Sequence, residues 1–151
     1  MKHDVILSTP ALHRDEMKFR ARVFENPPLT IALLTDLGDE NPGCSITNGI
    51  EYAVAAVLER WPDIDPARLV IVEHYDDREK LRRMAAKYGR YQAEPLQRAR
   101  DHGECFDLVT FGRGFEAVLE RAKRNPGRAV EPVWKRIPKA EVERLIGEVL
   151  P

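Results

Sequence analysis

Residues 36–48 contain the side chains best suited to hold a small, oxygen-bearing ligand. The segment joins an apolar stretch that is typical of a strand to an amphipathic stretch that is typical of a helix. At such a junction the first backbone N–H groups of the helix have no partner within the helix and can bind a phosphate or a carboxylate. The ligand-binding candidates in this loop are Asp36, Ser45, Thr47 and Asn48.

An ordinary helix cap is the alternative explanation for the same residue types. Serine, threonine and asparagine cap helices at about 1 kcal/mol each, and Asn48 and Glu51 have the spacing of a capping box. The loop has neither the Gly-Lys-Ser/Thr of a Walker loop nor a dinucleotide fingerprint. Its acidic residues Asp36, Asp39 and Glu40 would repel an anion unless a divalent cation lay between them.

Glu73 and His74 form a second candidate site, near the end of the apolar stretch 68–75. Binding sites in open α/β sheets gather at the carboxyl ends of strands, and a histidine there could carry a proton near neutral pH. Neighbouring residues of a strand point to opposite faces, so these two side chains cannot easily share one ligand. The alternative is that one of them is buried against a basic residue and the other is exposed.

A metal-assisted hydrolase or nuclease is an alternative function, because acidic residues occur at three expected strand positions. Such an enzyme would bring Asp36, Glu73, His74 and Asp107 to one metal ion, at oxygen-ligand distances of about 2.0–2.6 Å. No serine–histidine–acid or cysteine–histidine set can be assigned from the sequence. The pattern leans away from an enzyme and predicts no metal and no other cofactor.

The basic stretch 78–100 is a candidate for nucleic-acid binding, because Tyr88 and Tyr91 lie among its basic residues. The residues that would contact phosphates are Arg82, Arg83, Lys87 and Arg90. The sequence pI of about 6.4 lies well below that of strong nucleic-acid binders. A solvated amphipathic helix is therefore the favoured interpretation.

Length and composition are those of one ordinary globular domain spanning residues 1–151. Hydrophobic residues make up 43% and charged residues 32% of the chain, and no apolar run approaches the roughly 20 residues of a membrane helix. The run Val5 to Leu7 is too short for the core of a signal peptide, so we expect a cytoplasmic protein. Two free thiols are then expected at Cys44 and Cys105, although a disulfide is possible in principle.

The net charge of −1 conceals an uneven distribution along the chain. Residues 36–77 carry ten acids and two bases, residues 78–100 carry eight bases and two acids, and residues 113–136 carry seven bases and three acids. Such blocks can mark an interaction surface. The simpler alternative is that acidic loops and basic helices pair within the fold or face solvent.

Hydrophobic periodicity predicts strands and helices that could position these candidates. The predicted strands are 29–35, 68–75, 106–111 and 133–137, with a short strand or ordered tail at 4–8. The predicted helices are 10–24, 46–61 and one beginning at Pro138, and the basic stretches 77–100 and 114–124 are also helical in pattern. A helix between strands 29–35 and 68–75 has the length of a crossover, which favours a parallel pair.

Four segments, taken in order, resemble a family of small, uncharacterised bacterial proteins. They are Ser45-Ile-Thr-Asn48 with Glu51, Glu73-His-Tyr75, Phe106-Asp-Leu-Val-Thr-Phe111, and the run from Trp134 to Gly147. The resemblance covers roughly 29–75 and 104–148, brings no established activity, and implies a bacterial or mobile-element setting. It also implies that 77–103 is an insertion, that strands 68–75 and 106–111 pair antiparallel, and that Thr47, Asn48, Glu73 and His74 act together.

We therefore predict an α+β fold, a two-layer sandwich with a mixed four-stranded sheet, a β-α-β start, a helical insertion and a C-terminal helix. The sequence does not identify a function. It favours a small binding or accessory module that recognises a protein partner or a small anionic ligand through residues 36–48. A homodimer is a further possibility for the partner, nucleic acid is less favoured, and no membrane association is expected.

Overall fold

Five strands and two α-helices make up the regular structure in the part of the chain that the computed structural model describes, residues 2–11, 14–37, 50–75, 106–110 and 133–149. The strands are β1 (Lys2–Ala11), β2 (Arg14–Asn26), β3 (Leu29–Asp36), β4 (Leu69–Tyr75) and β5 (Phe106–Thr110). The helices are α1 (Ile50–Arg60) and α2 (Lys139–Val149), with short 3₁₀ helices at Pro66–Arg68 and Val133–Arg136. The predicted helices at 77–100 and 114–124 lie outside the described residues.

The strands form one mixed sheet in the order β1-β2-β3-β4-β5. Strands β1, β2 and β3 are antiparallel neighbours, β3 and β4 are parallel, and β4 and β5 are antiparallel. The α+β class, the mixed sheet and the C-terminal helix are confirmed. The parallel pair joined by α1 and the antiparallel pairing of residues 69–75 with 106–110 also agree with the sequence predictions.

The predicted helix over residues 10–24 is wrong, because residues 10–11 belong to β1 and residues 14–24 belong to β2. Apolar residues Leu12, Phe19 and Val23 lie near helical spacing, and that periodicity misled the prediction. The stronger pattern has a period of two: Met17, Phe19, Ala21 and Val23 are buried, and the residues between them carry charge. A period of two is typical of a strand with one buried face.

The predicted strand at 133–137 is also wrong, since Val133–Arg136 forms a 3₁₀ helix. Proline flanks this short run on both sides, at Pro132 and Pro138, and proline has no N–H to donate to a sheet ladder. Trp134 is 3% exposed and packs into the core. The run therefore anchors the chain just before α2 instead of extending the sheet.

The core lies on both faces of the two central strands and on one face of β1 and β2. All residues from Leu29 to Leu34 and from Leu69 to Glu73 are buried, whereas β2 exposes Lys18 and Arg20 on its second face. The predicted two-layer arrangement therefore fits β1 and β2, which are covered on one face. The central strands β3 and β4 differ from it, because they are covered on both faces.

The two helices approach the sheet from different faces. The Trp61 ring, just after α1, contacts His3 of β1 with centroids 5.5 Å apart, so α1 lies on the face that buries Phe19 and Val23. Helix α2 is tied to the end of β2, where Asn26 Nδ2 donates to the Leu145 carbonyl at 2.8 Å. No helix in the described segments is long and apolar enough to cross a membrane.

Candidate functional site

The carboxyl ends of β3 and β4 meet at one edge of the sheet because these strands are parallel. Strand β3 ends at Asp36 and β4 ends at Tyr75. A helix that connects two parallel strands runs back along the sheet, so α1 begins, at Ile50, near the same edge. Residues 38–49, which include the candidates Ser45, Thr47 and Asn48, connect β3 to α1 and lie outside the described residues.

The register of the sheet aligns four polar residues in a row across this edge. Arg20 of β2 pairs with Thr35 of β3, Thr35 pairs with His74 of β4, and His74 pairs with Asp107 of β5. Paired positions share a face, and neighbouring strands lie about 4.8 Å apart. These four positions, termed the polar row, occupy successive strands on one face of the sheet.

Thr35 is the central residue of the polar row. Its Oγ1 is buried and has no hydrogen-bond partner among the residues that the structure describes. A buried hydroxyl without a partner loses about 1–3 kcal/mol of solvation free energy, and it can both donate and accept a hydrogen bond. Thr35 therefore has hydrogen-bonding capacity that the described residues do not use.

Arg20 occupies the position of β2 that pairs with Thr35, and its guanidinium is bound by Asp4 of β1. Its Nε donates to Asp4 Oδ1 at 2.9 Å and its Nη2 donates to Asp4 Oδ2 at 2.6 Å. The hydrogen bonds and the charge of Asp4 raise the pKa of Arg20 further above its ordinary value. The guanidinium thus stays charged and is held in place by its two hydrogen bonds to the Asp4 carboxylate. Arg22, two positions further along β2 on the same face, is half-buried.

Glu73 lies on the opposite face of the sheet. It pairs with Leu34 and is 2% exposed, on the side against which α1 packs. Asp36 occupies the position after Thr35 and belongs to that same face. Glu73 takes part in an interaction with another group of the protein.

The register separates the four residues proposed for a shared metal ion into two pairs. Asp36 and Glu73 belong to the α1 face, and the positions of His74 and Asp107 belong to the polar row. Among the described residues, no three side chains of His, Cys, Asp or Glu lie close enough to hold a metal ion. A site using all four residues would need ligands from both sides of the sheet.

The sequence analysis missed Arg20 and Thr35, and both misses have a clear cause. Arg20 fell inside the helix wrongly predicted over 10–24, and Thr35 read as the last residue of an apolar strand. The period-two pattern of residues 17–23 is the signal that would have placed Arg20 on a sheet face. The nucleic-acid candidates Arg82, Arg83, Lys87 and Arg90 lie outside the described residues, and their role stays a prediction.

Comparison of the chain with protein-family models, with curated proteins and with solved structures found no match. The resemblance to small bacterial proteins therefore stays a prediction. The case for a site at the carboxyl ends of β3 and β4 rests on the geometry of this chain alone.

Proposed function

We propose that this protein is a binding module that takes a small anionic ligand at the edge where β3 and β4 end. The polar row forms the wall of the site. The observation that carries the proposal is the buried Thr35 hydroxyl, which has no partner among the described residues and belongs to a residue that pairs with Arg20 of β2.

The residues of the site suit a carboxylate or a phosphate group. A guanidinium and a hydroxyl can donate hydrogen bonds to the same anion. The start of α1 adds the positive end of a helix dipole at this edge. An acidic side chain of a protein partner has the same chemistry, so a peptide carboxylate is a second form of the proposed ligand.

The acidic residues of the loop do not prevent this mode of binding. Asp36 follows Thr35 directly in β3, so its position belongs to the other face of the sheet. An anion beside Thr35 and Arg20 has the sheet between itself and Asp36. The repulsion expected from the sequence is thereby reduced at the polar row.

Metal-assisted hydrolysis is the second candidate function, and the pairing of His74 with Asp107 is the observation that favours it. A carboxylate beside a histidine can orient the imidazole for proton transfer or metal binding. Turnover of phosphodiester or ester substrates that is abolished in His74→Ala would support this enzyme over the binding module.

Replacing Thr35 by valine tests the binding module most simply, because valine has the same shape but no hydroxyl. We expect Thr35→Val to weaken binding of inorganic phosphate or acetate about tenfold, which corresponds to the loss of one hydrogen bond to a charged group. Isothermal titration calorimetry of the whole chain measures the affinity.

Thr30→Val is the matched control for this experiment. Thr30 lies in the same strand and is 9% exposed, but it belongs to the opposite face and the opposite end of β3. Its replacement should leave the affinity unchanged. Equal affinities of the wild type and Thr35→Val for both anions, or failure of the wild type to bind either, would contradict the proposal.

A further inference from the structure

Strand β1 forms one edge of the sheet, with β2 on its inner side. No strand in the described parts of the chain pairs with its outer side. At ten residues, Lys2–Ala11 is a long strand for such a position. A long edge strand presents a row of backbone donors and acceptors that can pair with another strand.

The hydrogen bonding of β2 shows which residues of β1 direct their backbone outward. The Lys18 carbonyl accepts from the Leu37 amide at 3.0 Å, on the β3 side of β2. Residues of a strand direct their backbone groups alternately to the two sides, so Phe19 and Ala21 face β1. The backbone groups of their partners Leu7 and Val5 are therefore hydrogen-bonded to β2. The residues between and beside these two direct their backbone N–H and C=O groups away from the sheet.

The outward-facing residues are Asp4, Ile6 and Ser8, which are centred on Ile6. Ile6 is 63% exposed, although it is a large apolar side chain in the middle of the strand. Its neighbours Val5 and Leu7 are only half-buried against the core. Pro10 ends the pattern because it has no N–H to donate.

We propose that a second copy of this chain pairs with β1 in the antiparallel direction, about a two-fold axis at Ile6. In this register Ile6 meets Ile6 of the copy, Val5 meets Leu7, and Asp4 meets Ser8. The strand is thus complementary to itself: apolar side chains meet on both faces, and the outward backbone groups of Ile6 face those of Ile6 in the copy.

Charged residues of β2 lie behind the same register. Lys18 pairs with Ser8 across β1 and β2, so the Asp4 of the second copy comes to lie one strand beyond Ser8. Lys18 is 3.9 Å from Glu16, whose carboxylate also accepts from the Ser8 hydroxyl. The ion pair between Asp4 and Arg20 within each copy need not break. Because Ile6 also pairs with Arg20, the dimer places the polar rows of the two copies end to end.

Charge substitutions at Ile6 test this register. Ile6→Lys and Ile6→Glu would each place two like charges opposite one another at the two-fold axis, and a mixture would place lysine opposite glutamate. We expect the wild type to sediment as a dimer of the 17.3 kDa chain. Each variant alone should dissociate about ten times more readily, and an equimolar mixture of the two should recover the dimer.

Leu37→Lys is the control, because Leu37 is the other large apolar side chain exposed in the described residues, at 48%. It lies beyond β3, away from β1, and its substitution should leave the dimer intact. Circular dichroism of each variant checks that it is folded. A wild type that is monomeric at every concentration, a dimer unaffected by Ile6→Lys, or a mixture that stays monomeric would each overturn the proposal.

Discussion

At the scale of single residues, position along a strand decides which chemistry each side chain can join. Glu73 and His74 are neighbours in sequence, yet they hold positions on opposite faces of β4. Thr35 and Asp36 are separated in the same way at the end of β3. The candidate site therefore combines Arg20 and Thr35, which are far apart in sequence, and separates acidic residues that are close in sequence.

An exposed ion-pair cluster on α2 makes one residue-scale prediction about pH. Arg144 Nη2 donates to Glu141 Oε1 at 2.5 Å and its Nε donates to Oε2 at 2.9 Å. The hydrogen bonds from Arg144 hold the pKa of Glu141 below its ordinary value of 4.5. A carboxyl group whose pKa is lower in the folded state than in the unfolded state stabilises the fold at pH values above its ordinary pKa. This stabilisation is lost as the pH falls from about 4.5 through the lowered pKa.

Glu141→Gln should therefore lose less stability than the wild type as the pH falls through this range. Melting temperatures measured by circular dichroism between neutral and acid pH check the difference. Glu59→Gln, at an exposed position of α1, is the control and should follow the wild type. A Glu141→Gln melting curve parallel to that of the wild type at every pH would count against the stabilising role of this pair.

At the scale of elements, periodicity predicted the central strands well and the edge of the sheet poorly. Strands β3 and β4 are buried on both faces, so their continuous apolar runs gave clear boundaries. From Arg14 to Arg22 every second residue of β2 is charged, and two apolar residues of the strand also fell at helical spacing. The period of two is the stronger pattern, and giving it precedence would have identified β2.

The contact between Asn26 and α2 makes a prediction at this scale. Asn26 Nδ2 donates to the Leu145 carbonyl in the second half of α2. A carbonyl oxygen has two lone pairs, so it can accept this bond in addition to one within the helix. Asn26→Ala should lower the free energy of unfolding by about 1–2 kcal/mol and speed hydrogen exchange in α2. Chemical denaturation and exchange mass spectrometry measure the two effects.

Asp63→Ala provides the comparison for Asn26→Ala, since Asp63 is exposed in the turn after α1. Its stability should remain within about 0.5 kcal/mol of the wild type. If Asn26→Ala were as stable as Asp63→Ala, the hydrogen bond would not be what holds α2 at the end of β2.

At the scale of the whole molecule, the α+β class and the sheet edge where the two central strands end were predictable, and the side chains of the candidate site were not. The strand–helix–strand pattern between residues 29 and 75 indicated that the strands ending at Asp36 and Tyr75 reach the same edge of the sheet. Which side chains line that edge depends on the register of β2 and β5 against the central pair. Register is a property of the assembled sheet, so Arg20 could not be matched to Thr35 from sequence.

The central claim is that an anion binds at the carboxyl ends of β3 and β4, beside Thr35. Titrating the ¹⁵N-labelled chain with inorganic phosphate tests it most directly, because each backbone amide reports its own surroundings. We predict saturable shifts for the amides of Thr35, Asp36 and His74, with little change at Leu29 and Leu69 at the opposite ends of the same strands. Shifts confined to the amino ends of these strands or to the basic stretch 78–100, or no saturable shift at all, would contradict the account.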